Sequence, residues 1–267
     1  MSHAFLNGQP ATADDLRALA LANYGHFTSL QVRDGCAQGL ELHLQRLRAA
    51  TRELFGTDLE PGLVRAQAVA AVEAAGMRDA SLRITVFSRR FDYRDAGRTV
   101  PVDVLATLSP AAPATRPPLR VKSFPFVRPL PQVKHVGTFP LFHFRRLALA
   151  EGFDDALFVD PAGHVVEGSI WNLGLWDGEA VVWPQGPALR GICEQLLQDG
   201  LAAAGVPQSA RPVAAADLGG FRAAFACNAG GVQPVAAVDA VAWDVDAALM
   251  QRLAAVLAAR PWEPLAE

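Results

Sequence analysis

Residues 132–173 read Q-V-K-H-V-G-T-F-P-L-F-H-F-R-R-L-A-L-A-E-G-F-D-D-A-L-F-V-D-P-A-G-H-V-V-E-G-S-I-W-N-L. Lys134 stands in this stretch as one cation among apolar and small neighbours. A helical run follows, Phe139 to Glu151, with Pro140 where a first helical turn tolerates it. Ala156 to Val159 reads as a strand, and Asp160-Pro161-Ala162-Gly163 reverses the chain. A second strand then carries Glu167, with Gly168 directly after it. A helix and a hairpin are able to fold these two distant charges to one place. By residue type alone the bland reading competes: a lone lysine is usually a solvated surface charge, and a glutamate before glycine is usually a turn residue.

A lysine and a carboxylate brought together suit one chemistry well. A lysine amine forms a Schiff base with an aldehyde cofactor. A carboxylate keeps a pyridinium nitrogen protonated, so that the ring accepts electrons. Beyond this pairing, the segment resembles the core signature of the class IV aminotransferases, the fold type IV pyridoxal-phosphate enzymes. That group includes branched-chain aminotransferase, D-amino acid aminotransferase and aminodeoxychorismate lyase. The shared pattern is a Schiff-base lysine, a helix, a strand ending in aspartate, and an E-G-x-x-x-N-L motif. Here it falls without gaps on Lys134, Asp160 and Glu167-Gly168-Ser169-Ile170-Trp171-Asn172-Leu173. The resemblance implies a two-domain α/β (α+β) fold with pyridoxal 5'-phosphate in the cleft between the domains. It makes Lys134 the catalytic and cofactor-linking lysine and Glu167 the partner of the ring nitrogen.

Composition sets the surroundings. The chain has 267 residues, 51% hydrophobic and 19% charged, ample for a large core as one big domain or two smaller ones. A net charge of −3 offers no basic field for nucleic acid. The start, M-S-H-A-F-L-N-G, lacks a charged region followed by an apolar one, so no signal peptide is expected. No apolar run reaches the roughly 18 residues of a membrane span. Cys36, Cys193 and Cys227 are odd in number and widely spaced, which suggests a reducing, cytoplasmic setting and neither a disulfide frame nor a metal site.

Along the chain, Ala4–Asn7, Phe27–Val32, Ser81–Phe87 and Val100–Leu108 read as strands, and Ala13–Leu21, Leu40–Phe55 and Leu63–Ala75 as helices. The helix over 40–55 is the clearest, since Leu40, Leu44, Leu47 and Leu54 recur at helical spacing and Gly56 follows as its C-cap. Proline-rich 109–118 and 123–131 read as connections. The expected division is an N-terminal α+β domain over 1–122, a linker over 123–133, and a cofactor-binding domain over 134–267. The second half continues with a helix from about Arg190 to Ala204, a strand Ala223–Cys227, the turn Asn228-Ala229-Gly230-Gly231, and a last helix from about Val245 to Ala259.

Other constellations gain meaning from the resemblance. In the family the arginine of an H-x-x-R-L motif reaches the cofactor phosphate, which points to Arg46 in His43-Leu44-Gln45-Arg46-Leu47. A guanidinium suits phosphate oxygens bidentately. Gly191, Ile192 and Cys193 open a helix whose free N–H groups suit the same phosphate. Family members carry Pro and Thr where this chain has Arg190 and Cys193, so a hydroxyl contact is lost. Asn228 matches the family's late phosphate contact, and the amides of Ala229 and Gly230 face the substrate carboxylate. Tyr24, His26 and Thr28 alternate onto one face of an expected active-site strand and are taken as substrate contacts. Arg89 and Arg94 lie in a cationic loop able to hold a substrate carboxylate. Phe139 stands where the family often has a tyrosine on the ring oxygen. His135, Thr138 and Tyr24 are the alternatives for that role.

These residues imply an aminotransferase acting on amino acids and keto acids, expected as a homodimer. Aminodeoxychorismate lyase is the alternative, supported by the lyase-like run Phe225-Ala226-Cys227-Asn228-Ala229. A cofactor-binding protein without turnover is the third reading.

Overall fold

The computed structural model describes residues 3–266, which divide into two compact units. Unit 1 comprises 1–112, 133–137 and 261–267; unit 2 comprises 113–132 and 138–260.

Unit 1 is built on one sheet. Its elements are β1 (His3–Leu6), β2 (Gln9–Pro10), α1 (Ala13–Ala22), β3 (Gly25–Arg33), β4 (Cys36–Gln38), α2 (Leu40–Phe55), α3 (Pro61–Ala75), β5 (Ala80–Phe87) and β6 (Asp103–Pro110). The sheet is antiparallel in the order β4-β3-β5-β6-β1-β2, and the short strand Trp262–Pro264 closes it beside β4. Strands β3 and β5 pair over their whole lengths, Gly25 with Phe87 through Val32 with Ala80. The apolar stripe of α2, Leu40, Leu44 and Leu47, packs on Leu30 and Val32 of β3. Each such side chain contributes about 1.5–3 kcal/mol by leaving water. Leu47→Ala should cost about 2–5 kcal/mol through the cavity left behind. Gly56 ends α2 in the left-handed region, as the sequence suggests.

Unit 2 holds a larger mixed sheet. Its elements are β7 (Leu119–Pro125), α4 (Phe139–Ala150), β8 (Asp155–Val159), β9 (Val165–Gly168), β10 (Asn172–Trp176), β11 (Val181–Pro184), α5 (Ile192–Ala203), β12 (Gln208–Arg211), β13 (Ala223–Asn228), β14 (Gly231–Val238), β15 (Val241–Ala242) and α6 (Ala247–Ala258). The order is β12-β11-β10-β13-β14-β7-β8-β9, with β15 on β14. β7 lies parallel to both β8 and β14, which requires crossover connections, and α4 lies on the one from β7 to β8. Phe144 of α4 packs against Phe124, Phe126 and Phe158. No helix among the described residues is long and apolar enough to cross a membrane.

The division departs from the expected one at three places. Leu119–Pro125 is an inner strand of the second sheet and no linker: its Pro125 sits at the end of the strand, where no further ladder bond is lost. The boundary therefore falls after Ala112. Val133–Gly137 joins unit 1, because on β3 the strand β4 pairs with Val32 and Arg33 alone and leaves the start of β3 open on that edge. Phe27 N–H donates to the Lys134 carbonyl (2.8 Å) and Val136 N–H to the Gly25 carbonyl (2.9 Å), so the segment runs as one more strand beside β3. Pro261–Glu267 returns to unit 1 as well.

Candidate active site

In unit 1 that backbone pairing sets Lys134 beside Phe27. The lysine Nζ lies 4.9 Å from the centre of the Phe27 ring. On the same ring lies the guanidinium of Arg83, from β5, its carbon 3.5 Å from the centroid. The face of β3 that carries Phe27 is therefore the one that meets Lys134. Alternation turns His26 and Thr28 the other way, onto α2. His26 Nε2 bonds Thr51 Oγ1 (2.9 Å), and Thr28 Oγ1 bonds His43 Nδ1 (2.6 Å). Both residues are buried. Burial and the charge of Arg46 pull the His26 imidazole down to about 3. Burial, then Arg46 and Lys134, hold His43 well below the usual histidine value. His26 and Thr28, expected as substrate contacts, are buried on the α2 side of the strand and bonded there to Thr51 and His43. Tyr24 donates to the Leu54 carbonyl (3.0 Å) and stacks on Phe91.

Arg46 and His43 share one face of α2, three residues apart. Arg46 Nη2 donates to Thr28 Oγ1, which leaves the hydroxyl proton free to go on to the neutral His43. Its Nε is buried and finds no hydrogen-bond partner among the described residues. Burial lowers the guanidinium to about 10. An orphaned charged donor of this kind fits an anionic ligand such as a phosphate.

The cationic loop behaves differently from the expectation. Arg89 divides its fork between Asp15 (2.7 Å) and Asp103 (3.0 Å), and the Asp103 contact raises its pKa. A guanidinium so neutralised has little left for a substrate carboxylate. Arg94 is exposed, 3.7 Å from Asp92 and over the Tyr93 ring.

In unit 2 the hairpin of β8 and β9 delivers Glu167. Asp160 caps its turn, with Oδ1 accepting from the Ala162 and His164 amides. Glu167 is only 3% exposed. Oε1 accepts from Arg128 Nε (3.0 Å) and Oε2 from the Leu189 amide (3.2 Å). Gly168 is required by packing: a Cβ there would fall 2.0 Å from the Trp171 ring.

Helix α5 begins beside the β13–β14 turn. Asn172, first residue of β10, pairs with Cys227 of β13 and donates to the Leu189 carbonyl (2.8 Å). A Cβ on Gly191 would meet Asn172 Oδ1 at 2.3 Å, so only glycine lets the helix start this close. Gly191 supplies no capping side chain, and the first N–H groups, Ile192 and Cys193 among them, have no side-chain cap. Asn228, Ala229, Gly230 and Gly231 form the turn next to them, with Gly230 N–H donating to Asn228 Oδ1 (2.9 Å). These donors fit a phosphate, and with Glu167 they fit pyridoxal phosphate. Phe139 is 74% exposed and stacks on His143.

Within unit 1 the structure thus gathers Lys134 and Phe27, and within unit 2 Glu167, Gly191–Cys193 and Asn228–Gly230. Three arginines escaped the sequence reading. Arg83 sits in an alternating strand, where it reads as an ordinary outward residue. Arg128 and Arg116 sit among prolines, where they read as loop charges.

A family model, class IV amino-transferase, matches residues 25–238. No curated protein matches the chain. Among solved structures, the branched-chain aminotransferase of Thermoproteus uzoniensis, solved with norvaline, superposes with a TM-score of 0.83 at 18% identity, covering 96% of this chain and 93% of that one. A hypothetical aminotransferase from Mycobacterium tuberculosis, in its pyridoxal-phosphate-bound form, gives 0.81 at 21% identity over 97% and 98%. A Legionella pneumophila protein described as a candidate 4-amino-4-deoxychorismate lyase gives 0.81 at 20% identity over 94% and 95%. At these identities the likeness speaks for the fold.

Proposed function

The chain belongs to the class IV amino-transferases, a family of pyridoxal-phosphate-dependent enzymes, and on that premise we propose that it moves an amino group between an amino acid and a 2-keto acid. The observation that carries this reading is the shared ring of Phe27, with the Lys134 amine on it and the Arg83 guanidinium 3.5 Å from its centre. An amine able to move a proton and a cation able to hold a carboxylate stand within one substrate length of each other.

Pyridoxal phosphate, when bound, supplies the electron sink for charge released at the substrate Cα. Lys134 Nζ would take the proton from that carbon and release it on the cofactor side, the shift that amino transfer needs, as a positioned base and then acid. Arg83 holds a substrate carboxylate against the Phe27 ring, in place of the Arg89 and Arg94 of the sequence reading. Glu167 presents negative charge to the ring nitrogen, and Arg128 fixes the direction of that carboxylate. For the phosphate, unit 1 offers the orphaned donor of Arg46, and unit 2 offers the 191–193 helix start with the Asn228 turn next to it. The Ala229 amide is left for the substrate carboxylate, since the Gly230 N–H is already given to Asn228 Oδ1.

A second copy of the chain is proposed to cover the apolar stripe of α4, where Phe139, Phe142 and Leu149 are 74%, 49% and 54% exposed. Light scattering should give a dimer; a fully active monomer would refute this. All three cysteines are free thiols, which agrees with a cytoplasmic setting.

The lyase reading keeps one supporting observation, the run Phe225 to Ala229. The deciding assay offers the purified protein L- and D-amino acids with pyruvate or 2-oxoglutarate, and separately aminodeoxychorismate. Transfer to the keto acid is expected. Pyruvate release from aminodeoxychorismate, with no transfer, would assign the lyase. Bound cofactor with neither activity would leave a binding protein.

A further inference from the structure

Arg116 precedes β7 in a run of prolines and is half-buried. Its Nη1 donates to Asn228 Oδ1 (3.3 Å) and its Nη2 to the Gly231 carbonyl (2.9 Å). Asn228 and Gly231 are the paired residues that flank the Ala229-Gly230 turn. The preceding residue, Cys227, pairs with Asn172, the same asparagine that fixes Leu189 ahead of α5. The guanidinium therefore lies at the turn that adjoins the positive end of α5.

That position lacks negative charge. Among the described residues no carboxylate is within ion-pair distance of Arg116. Burial lowers its pKa, and the groups that act on it electrostatically are the Cys193 and Cys227 thiols. Cys227 stays a neutral thiol, pushed up by its hydrogen bond with Cys193 and by burial. A guanidinium bonded only to two neutral acceptors, next to a helix N-terminus, places two positive features together. An anion between them satisfies both, and the fork geometry of arginine favours a phosphate or carboxylate.

The geometry points to Arg116 as a further ligand of the cofactor's phosphate group, supplying the side-chain contact that Cys193 cannot make. This rests on the proposed placement of the phosphate at the 191–193 helix start. The side chain approaches from the Asn228 side of the turn. A thiol is a weak donor, whereas the guanidinium keeps further charged N–H groups beyond the two given to Asn228 and Gly231.

The test titrates the full-length apoprotein with pyridoxal 5'-phosphate and with pyridoxal, for wild type and for Arg116→Ala, Arg116→Gln and Arg116→Lys. Wild type should prefer the phosphate ester strongly. Arg116→Ala and Arg116→Gln should shrink that preference about ten- to hundredfold while pyridoxal binding stays within about threefold. Arg116→Lys, which keeps the charge but not the fork, should recover part of it. Inorganic phosphate should compete with the ester less well in the Gln variant than in wild type. A full preference in Arg116→Gln would overturn the proposal and leave the placement of the phosphate intact. Equal weakening of both compounds would make Arg116 a brace of the turn, and also overturn it. An unchanged preference with a raised KM for the amino donor would move Arg116 to the substrate carboxylate, again against the proposal. A wild type that binds pyridoxal as tightly as its phosphate ester would instead defeat the reading of the helix start itself.

Discussion

In unit 1 the polar groups between β3 and α2 are neutral or cationic: His26 bonds Thr51, Thr28 bonds His43 and Arg46, and neither Arg46 nor Arg83 has a carboxylate at ion-pair distance among the described residues. In unit 2 the buried acids are matched instead. Glu167 has Arg128 at 3.0 Å, Glu194 has Arg190 at 2.9 Å, and Asp155 has Arg145 at 3.7 Å. The difference separates two kinds of cost. A paired buried charge is part of the fold, and removing its partner strands the other ion at about 3–5 kcal/mol. An unpaired cation already bears its desolvation, so removing it should spare the fold and cost a ligand.

The largest effect should come from breaking a unit 2 pair. Glu167→Gln removes the charge facing the ring nitrogen and strands Arg128. Turnover should fall by about two to three orders of magnitude, and the urea midpoint should fall together with it. A wild-type rate in this variant would make Glu167 a turn residue only. Next comes the acid response of unit 1. His26 holds its imidazole at about 3, below the ordinary value of 6.5. Between those values the unfolded chain binds a proton that the native state refuses, so stability is full above about 6.5 and is lost as pH falls toward 3. The loss should amount to a few kcal/mol, with His43 acting in the same sense. His26→Asn should flatten part of that limb in urea unfolding measured at pH 7 and pH 4.5; an unchanged slope would show that the ring is not sealed.

Arg46→Ala should sit lower on the scale. Loss of a charge-assisted contact is worth about 1.5–3 kcal/mol, or roughly ten- to hundredfold in affinity for pyridoxal phosphate. Pyridoxal binding and the urea midpoint should barely respond. Equal weakening of both compounds would return Arg46 to a supporting role under Thr28. The smallest change is Cys193→Thr, which restores a hydroxyl at the start of α5. Tighter binding of the phosphate ester by about 1 kcal/mol is expected in the same titration; weaker binding would mean that the thiol's contact with Cys227 shapes the helix start.

The contrast between the units also marks what the sequence discloses. The α2 boundaries, the hairpin that delivers Glu167 and the turn at Asn228 follow local rules of period, cap and turn, and all are found where expected. Leu119–Pro125 is hidden because Pro117 and Pro118 before it and Pro125 at its end read as a connection, although they lie where a strand tolerates them. The face of β3 was not legible, since alternation says that His26 and Thr28 share a side but not which helix covers it. The strands Asn172–Trp176 and Val181–Pro184 are short apolar runs that periodicity alone does not mark. Arg83, Arg116 and Arg128 take their meaning from partners far along the chain, Phe27, Asn228 and Glu167. No local pattern announces such pairs.

The central claim is that Lys134 is the amine that engages the cofactor. Borohydride reduction of the holoprotein, followed by proteolysis and mass spectrometry, tests it directly. The account predicts one pyridoxyl group, on Lys134, with its yield abolished in Lys134→Ala. Recovery of the group on Lys122, whose ammonium is already engaged 2.6 Å from Glu151, would contradict it.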